Sequence, residues 1–334
     1  MSLLEIEDLT VHLPVAGELR TVLHGVSLAL DEGEALGLVG ESGSGKSMTA
    51  RAIARLLPPG AVVEGRIAFD GAAVLDLRGG DLRAYRTDGV GMIFQDPRAH
   101  TNPVRSIGDF LCEGLRTHRG LSAHESHGLA VELLGEVGIE DGERRLGQYP
   151  HELSGGLLQR VMIASVLAMR PQLILADEPT TALDVTTQSE VLAILDDLRR
   201  EHAMALLFIT HDLELAAAVC ERTAVMYAGS IVEDLAAAAL HAEPLHPYTA
   251  ALLRARPSVT ATAARLAAIP GRPLSAFEAP AGCAFAPRCN HAEAGCRTER
   301  PAMRQVGDDR VRCHRAEALR GRLLGSLLPD AVDG

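Results

Sequence analysis

The chain has 334 residues, 47% of them hydrophobic, and a formal net charge of −12, with a mean hydropathy of +0.10. This is enough material for one large domain or two ordinary ones, and it excludes several classes of protein. No run of 18 or more apolar residues offers a membrane-spanning helix, and the first residues lack the basic and apolar regions of a signal peptide, so a cytosolic location is expected. Aromatic residues make up 3% and Trp is absent, which argues against recognition by stacked aromatic platforms. The charge is uneven: residues 1–253 carry 19 basic and 36 acidic side chains, residues 254–334 carry 13 and 8. An acidic body disfavours duplex nucleic acid as a partner, because counterion release needs a basic surface. The basic tail reads as solvated, or as a contact with anionic lipid or an acidic neighbour.

Apolar and polar positions alternate through residues 1–35 (Leu4, Ile6, Leu9, Val11, Leu13, then Val22, Val26, Leu28, Leu30), which predicts antiparallel strands turning near Gly17. Ala35–Val39 reads as a buried strand and Ser47–Leu57 as a helix stopped by Pro58-Pro59-Gly60. Strands are expected around Gly65–Asp70 and Val90–Gln95. Residues 96–155 read as an inserted helical subdomain without a strong strand. Strand and helix signals then alternate: helix 156–169, strand Leu173–Ala176, helix Gln188–Glu201, strand Ala205–Thr210, helix Leu213–Glu221, and strands near 223–227 and 230–233. Such alternation indicates an α/β fold with a mainly parallel sheet covered on both faces. Past about Arg254 the periodicity fades, marking a C-terminal extension over 254–334 beside a main domain over 1–253.

The chain contains a single lysine, Lys46, against 31 arginines. It lies in Gly40, Glu41, Ser42, Gly43, Ser44, Gly45, Lys46, Ser47, which matches G-x-x-x-x-G-K-[ST] between a strand and a helix. Backbone amides of such a loop and of the helix entered through Met48 form an anion cradle. A compact ammonium reaches between phosphates in a way a planar guanidinium does not. Ser47 is a candidate Mg²⁺ ligand. The strand-like Leu173–Ala176 ends in Asp177 and Glu178. Asp177 is a second candidate for Mg²⁺, and Glu178 a candidate base for an attacking water.

With these residues placed, a family resemblance emerges. Ser154, Gly155 and Gly156 with Gln159-Arg160 resemble the signature motif of ABC-type ATPases. Gln95 resembles the Q-loop glutamine (with Ser47 and Asp177, a Mg²⁺-side residue), Ala182-Leu183-Asp184 the D-loop, and His211 the switch histidine. The resemblance implies an ABC-type P-loop ATPase core with an antiparallel β subdomain and the helical insert, binding ATP and Mg²⁺. It also implies Ser154 facing the γ-phosphate of a partner's nucleotide across a head-to-tail dimer. Further text is similar to the ATP-binding subunits of oligopeptide, dipeptide and nickel importers: Asn102-Pro103, Tyr149–Ser154, Val225–Gly229, Ile231–Glu233 and His246–Thr249. That likeness implies a sister ATPase (or a second copy), two membrane permeases touched near 96–105, an external substrate-binding protein, and attachment to the cytoplasmic face of the membrane. A nickel or other small-solute importer and a soluble ABC ATPase are the alternatives. Three departures stand out: Leu157-Leu158 where a polar or basic residue is usual, Ala99-His100-Thr101 before Asn102, and no aromatic residue over Val15–Leu23 to stack on adenine. An aliphatic side chain or His12 is left for that task.

Cys283, Cys289, Cys296 and Cys313 follow C-x5-C-x6-C-x16-C, unlike the paired spacing of common zinc ribbons. Four thiols in a weakly cored segment suit a metal staple, Zn²⁺ or an iron–sulfur cluster, with His291 and His314 as spare ligands. Gly282–Cys289 resembles the tail of peptide-importer ATPases, and that resemblance favours [4Fe-4S]. Cys112 and Cys220 read as small core residues.

Overall fold

The alternation of the N-terminal segment produces two long antiparallel strands, β1 (Ser2–Val15) and β2 (Glu18–Asp31), turning at Ala16 and Gly17. The structure, a computed structural model, describes residues 2–181, 183–255 and 269–324. The strand β3 (Ala35–Val39) is buried along its whole length and runs into the glycine loop and α1 (Lys46–Ile53). This helix stops before the predicted Leu57. Arg55 takes a left-handed φ of 58°, Leu56 N–H returns to Arg51 O at 2.7 Å and Arg55 N–H to Ala52 O at 3.1 Å. A Schellman closure therefore ends the helix ahead of Pro58, and an Arg where glycine is usual hid it. Next come β4 (Val62–Phe69) and β5 (Ala72–Ala73), completing a four-stranded sheet in the order β2-β1-β4-β5. After α2 (Gly79–Ala84), β6 (Val90–Ile93) ends two residues short of Gln95.

Between β6 and residue 154 the described chain is helical: α3 (Ile107–His118), α4 (Ala123–Glu136) and α5 (Gly142–Leu146). Ser106 and Ser122 cap the first two by accepting Asp109 N–H and Glu125 N–H. Ile107, Leu111, Leu115, Leu133 and Leu134 pack with α6 (Gly155–Leu167) in one core. The alternating portion follows: β7 (Leu173–Asp177), α7 (Val185–Glu201), β8 (Ala205–Thr210), α8 (Leu213–Val219), β9 (Arg222–Tyr227) and β10 (Ser230–Ala236). Helix α7 starts three residues before the predicted Gln188, because the Asp184 carboxylate caps it by accepting Thr187 N–H at 3.1 Å and the Thr187 hydroxyl at 2.7 Å.

After α9 (Ala237–Leu240) and α10 (Pro247–Arg254), the extension supplies α11 (Ala294–Thr298), β11 (Arg304–Val306), β12 (Asp309–Val311) and α12 (Ala316–Leu319). The hairpin was not legible in the faded periodicity, since each strand has three residues and Gly307 makes the turn with φ 66°. Through Glu233↔Val311 and Asp234↔Arg310 it joins an eight-stranded sheet ordered β11-β12-β10-β9-β3-β8-β7-β6, whose β9-β3-β8-β7-β6 portion is parallel. No helix among the described residues is long and apolar enough to cross a membrane.

The junction between β10 and α10 is a buried polar knot. Glu233, with no exposed surface, accepts Leu245 N–H at 2.5 Å and His246 N–H at 3.2 Å, and His246 Nδ1 accepts Tyr248 N–H at 3.0 Å. Burial pushes the Glu233 carboxyl up to about 7 and the His246 imidazole down to about 3. A raised carboxyl favours the folded state at acid pH and loses that contribution as pH climbs through about 7. The depressed imidazole acts oppositely, its contribution fading as pH falls below the ordinary His range toward about 3. Glu233→Gln isolates the first effect. We expect its stability relative to wild type, from urea midpoints, to improve by on the order of 2 kcal/mol between pH 5 and pH 8; a pH-independent difference would refute the titration.

Candidate nucleotide-hydrolysis site

Parallel register brings three strand ends to one edge of the sheet. Val39 stands opposite Thr210 and Asp177 opposite Ile209, so the glycine loop, the Asp177-Glu178 pair and His211 emerge side by side. Glycine is required twice in the loop. A Cβ on Gly40 would lie 2.1 Å from the Met226 carbonyl oxygen, and Gly45 has a φ of 109° with Met226 and Leu23 side chains inside 3 Å of any Cβ. The loop therefore wraps tightly enough for its amides to converge.

Lys46, only 4% exposed, donates to the carbonyl oxygens of Gly40 at 2.8 Å and Glu41 at 3.2 Å and stands 3.9 Å from the Glu178 carboxylate. Burial lowers its pKa, against the pull of Glu178 and Asp177. Ser47 donates its hydroxyl to Asp177 Oδ1 at 2.7 Å, and burial raises the Asp177 carboxyl above the usual range despite that bond. Around Glu178, Gln95 Nε2 donates at 3.1 Å, Thr181 Oγ1 at 2.8 Å, and His211 Nδ1 lies 3.6 Å away. A half-buried carboxylate surrounded by an ammonium, an amide, a hydroxyl and an imidazole occupies the kind of setting a terminal phosphate would share. Ser44 Oγ is buried in the loop with no hydrogen-bond partner among protein atoms, as expected where a ligand completes the bonding. A cavity of 680 Å³ is lined by Glu41–Met48, Gln95, Glu178 and His211, a size suited to a nucleotide. These donors and acids fit ATP with Mg²⁺ held between Ser47 and Asp177.

Ser154 caps α6 by accepting Leu157 N–H at 3.3 Å. With Gly155, Gly156, Leu157, Asp184 and Thr187 it lines a separate open cavity that shares no residue with the first. A Cβ on Gly156 would meet Thr187 Cγ2 at 2.5 Å, so glycine there keeps α6 against the start of α7. Leu158 is fully buried, and Leu157 lies at the cavity rim. Gln159, one turn beyond Gly155, is 1% exposed and lines a cavity with Gln95 and Asp96 that meets the Ser154 cavity at Gly155 and Leu183. Of the D-loop residues, Ala182 lies outside the described residues; Leu183 lines the Ser154 cavity. His12 bonds Thr21 Oγ1 at 3.0 Å and does not line the Lys46 cavity, whereas the aliphatic Val22 does.

The extension supplies contacts that the sequence did not suggest. Arg288, 7% exposed, forms a two-pronged pair with the Glu41 carboxylate at 2.6 and 3.1 Å and donates to Pro270 O at 2.9 Å. Tyr248 OH accepts Glu41 N–H at 2.9 Å, so the His246–Thr249 text that looked free of phosphate chemistry touches the phosphate loop. A C-terminal Arg before a cysteine gave no hint of a partner some 250 positions earlier, and only the fold could reveal it.

Cys283, Cys289, Cys296 and Cys313 come together around one small cavity with His246, His291 and His314. Burial raises the thiols of Cys283, Cys289 and Cys313, the last to about 11, with neighbouring thiols adding to the effect. His314 is turned to the Glu299 carbonyl at 3.0 Å. Among the described residues, no group of three or more His, Cys, Asp or Glu side chains is arranged to hold a metal ion. The expected zinc or iron–sulfur staple thus has no preformed donor set. Cys220 is buried and Cys112 half-buried, each packed in or against the core that joins α6 and α7.

Comparison with known proteins agrees with this architecture. The ABC transporter family matches residues 23–181, and the C-terminal region of oligopeptide/dipeptide transporters matches residues 232–296. The chain is 41% identical over 294 residues to the oligopeptide transport ATP-binding protein OppD of Haemophilus influenzae, covering 88% of this chain and 91% of that one. It is 43% identical over 318 residues to the dipeptide transport ATP-binding protein DppD of the same organism, covering 94% and 96%. The solved dimeric ATP-binding cassette MJ0796, in a post-hydrolysis state with ADP and phosphate, superposes with a TM-score of 0.63 at 31% identity, over 70% of this chain and 98% of that one. CbiO1 of Clostridium perfringens gives 0.62 at 26% identity, over 72% and 91%. The chain belongs to the ATP-hydrolysing ATP-binding proteins of the ABC transporter family, in their oligopeptide/dipeptide branch.

Proposed function

We propose that this chain powers the import of di- or oligopeptides, docked at the cytoplasmic face of a membrane on two permease chains. The observation that carries the reading is the convergence of Lys46, Gln95, Thr181 and His211 on Glu178 beside the Ser47–Asp177 pair. With ATP bound, Lys46 and the loop amides neutralise phosphate charge, and Ser47 and Asp177 hold Mg²⁺, which supplies further charge neutralisation. Gln95 and His211 hold the water and the γ-phosphate in place. Glu178 accepts the proton of the attacking water as its oxygen bonds to the γ-phosphorus and the bond to ADP breaks.

The Ser154 cavity and the Lys46 cavity share none of the described lining residues within one chain, which supports a second ATPase chain bringing the two together. Val185, 79% exposed beside the Asp184 cap, supports a partner across this face. In the segment expected to meet the permease, Val104 is 79% exposed on a turn held by Asn102 Oδ1 accepting Val104 N–H at 3.2 Å. The peptide substrate is inferred from the branch of the family. For the cysteines we infer a [4Fe-4S] cluster over zinc, on the convergence of the four thiols around one cavity and the resemblance of Gly282–Cys289 to the tail of peptide-importer ATPases. Binding would have to remove the thiol protons that burial retains.

Reconstituted with its permeases and binding protein, the complex is expected to take up peptides in an ATP-dependent way. Uptake of Ni²⁺ with no peptide uptake would overturn the substrate. Glu178→Gln should keep ATP binding and lower turnover at least about 100-fold; unchanged turnover would remove Glu178 as the base. Lys46→Arg should cripple ATP use, while Arg116→Lys on the exposed face of α3 should be mild, and equal effects would mean that the loop is misread. Anaerobically purified protein should hold about four iron and four sulfide per chain, and zinc without iron would refute the cluster.

A further inference from the structure

The cavity of the phosphate loop has a second, apolar wall that the nucleotide motifs do not supply. It consists of Val22 from β2, Leu252 from α10, and Pro273, Ala276 and Phe277 from the C-terminal extension. Apart from the His211 imidazole, which is paired with Glu178, the Phe277 side chain is the one aromatic ring in that lining. We propose that Phe277, carried on the extension, is the platform on which the nucleotide base stacks, replacing the upstream aromatic residue that this chain lacks.

Three observations carry this. First, the turn bearing Phe277 is bonded directly to the phosphate loop: Ala276 N–H donates to Gly43 O at 3.3 Å, and Ala276 O is bonded to His24 Nε2 at 2.8 Å. The ring is therefore held at a fixed offset from the anion cradle. Second, the turn is rigid before any ligand arrives. Glu278 accepts Ser275 N–H at 3.1 Å and takes both prongs of Arg272, at 2.9 and 2.7 Å, which hold its carboxyl down near 2. Third, the ring is half-buried against the core and steadied on one side by Arg20, whose guanidinium carbon lies 5.2 Å from the ring centroid and whose Nη2 donates to Phe277 O at 3.4 Å. The same Phe277 side chain lines the cavity, where it can receive a flat, apolar-faced group. An adenine ring entering from the phosphates meets Val22 and Phe277, a slab of the kind that favours base stacking without reading base edges. Base recognition then depends on a segment C-terminal to the whole ATPase core.

The proposal rests on the ATP-site reading, and the test separates the two. Binding of Mg·ATP and of Mg·tripolyphosphate, which has no base, is measured on the full chain by calorimetry. Phe277→Ala should weaken ATP about 10- to 100-fold and leave tripolyphosphate unchanged. Phe277→Trp should retain ATP affinity. Because the wild-type sequence contains no Trp, its single fluorophore should change emission with ATP and not with tripolyphosphate. Unaltered ATP affinity in Phe277→Ala, or equal loss of both ligands, or an indole insensitive to ATP, would overturn the proposal. Wild-type protein that binds neither ligand would overturn the nucleotide reading beneath it, and the proposal with it.

Discussion

The site depends on the parallel register of β3, β8 and β7. Because Val39 is level with Thr210 and Asp177 with Ile209, three chain segments far apart in sequence leave the sheet together. A slip by one residue would turn side chains to the opposite face and separate Ser47 from Asp177. The register is fixed by burial: β3, β7 and β8 are enclosed along their full length, so every residue is a core residue and none can shift to solvent. Core packing is in this sense the source of the catalytic geometry.

Charge follows from that geometry. Lys46, Asp177 and Glu178 lie within a few ångströms in a poorly hydrated edge, where burial lowers the ammonium and raises the Asp177 carboxyl. The two carboxylates pull the ammonium back up, and Lys46 pulls Asp177 back down. Glu178 is the point on which Lys46, Gln95 and His211 converge.

Much of this was legible in the chain because the motifs are local. A strand, a glycine loop and a helix lie within about twenty residues, and burial of four apolar residues before Asp177 announces the second strand end. Capping is harder to read: Asp184 was seen as part of a loop motif, yet its carboxylate also starts α7 three residues early. The C-terminal extension was the least legible. Its hairpin strands have three residues each, too short for periodicity, and its cysteines attract attention that the structure shifts to Arg288 and Phe277. Contacts between positions 41 and 288 carry no local signature, so composition suggested an appendage where the fold has a wall of the site.

That wall changes what the extension can do. Arg288 is nearly enclosed, and its two bonds to Glu41 place a buried ion pair at the mouth of the phosphate loop. Removing one partner of such a pair leaves an uncompensated charge, at a cost of about 3–5 kcal/mol, whereas the intact pair adds less than that to net stability. The pair therefore specifies position more than it stabilises the fold. Tyr248 fixes the backbone of the same Glu41, and the Ala276 amide fixes Gly43 two residues on. Three separate C-terminal groups thus hold a loop whose glycines would otherwise leave it free to open. Arg288 is also the immediate neighbour of Cys289, one of the four thiols that line the cysteine cavity. The cysteine cavity and the nucleotide cavity are two ends of one short covalent and hydrogen-bonded path.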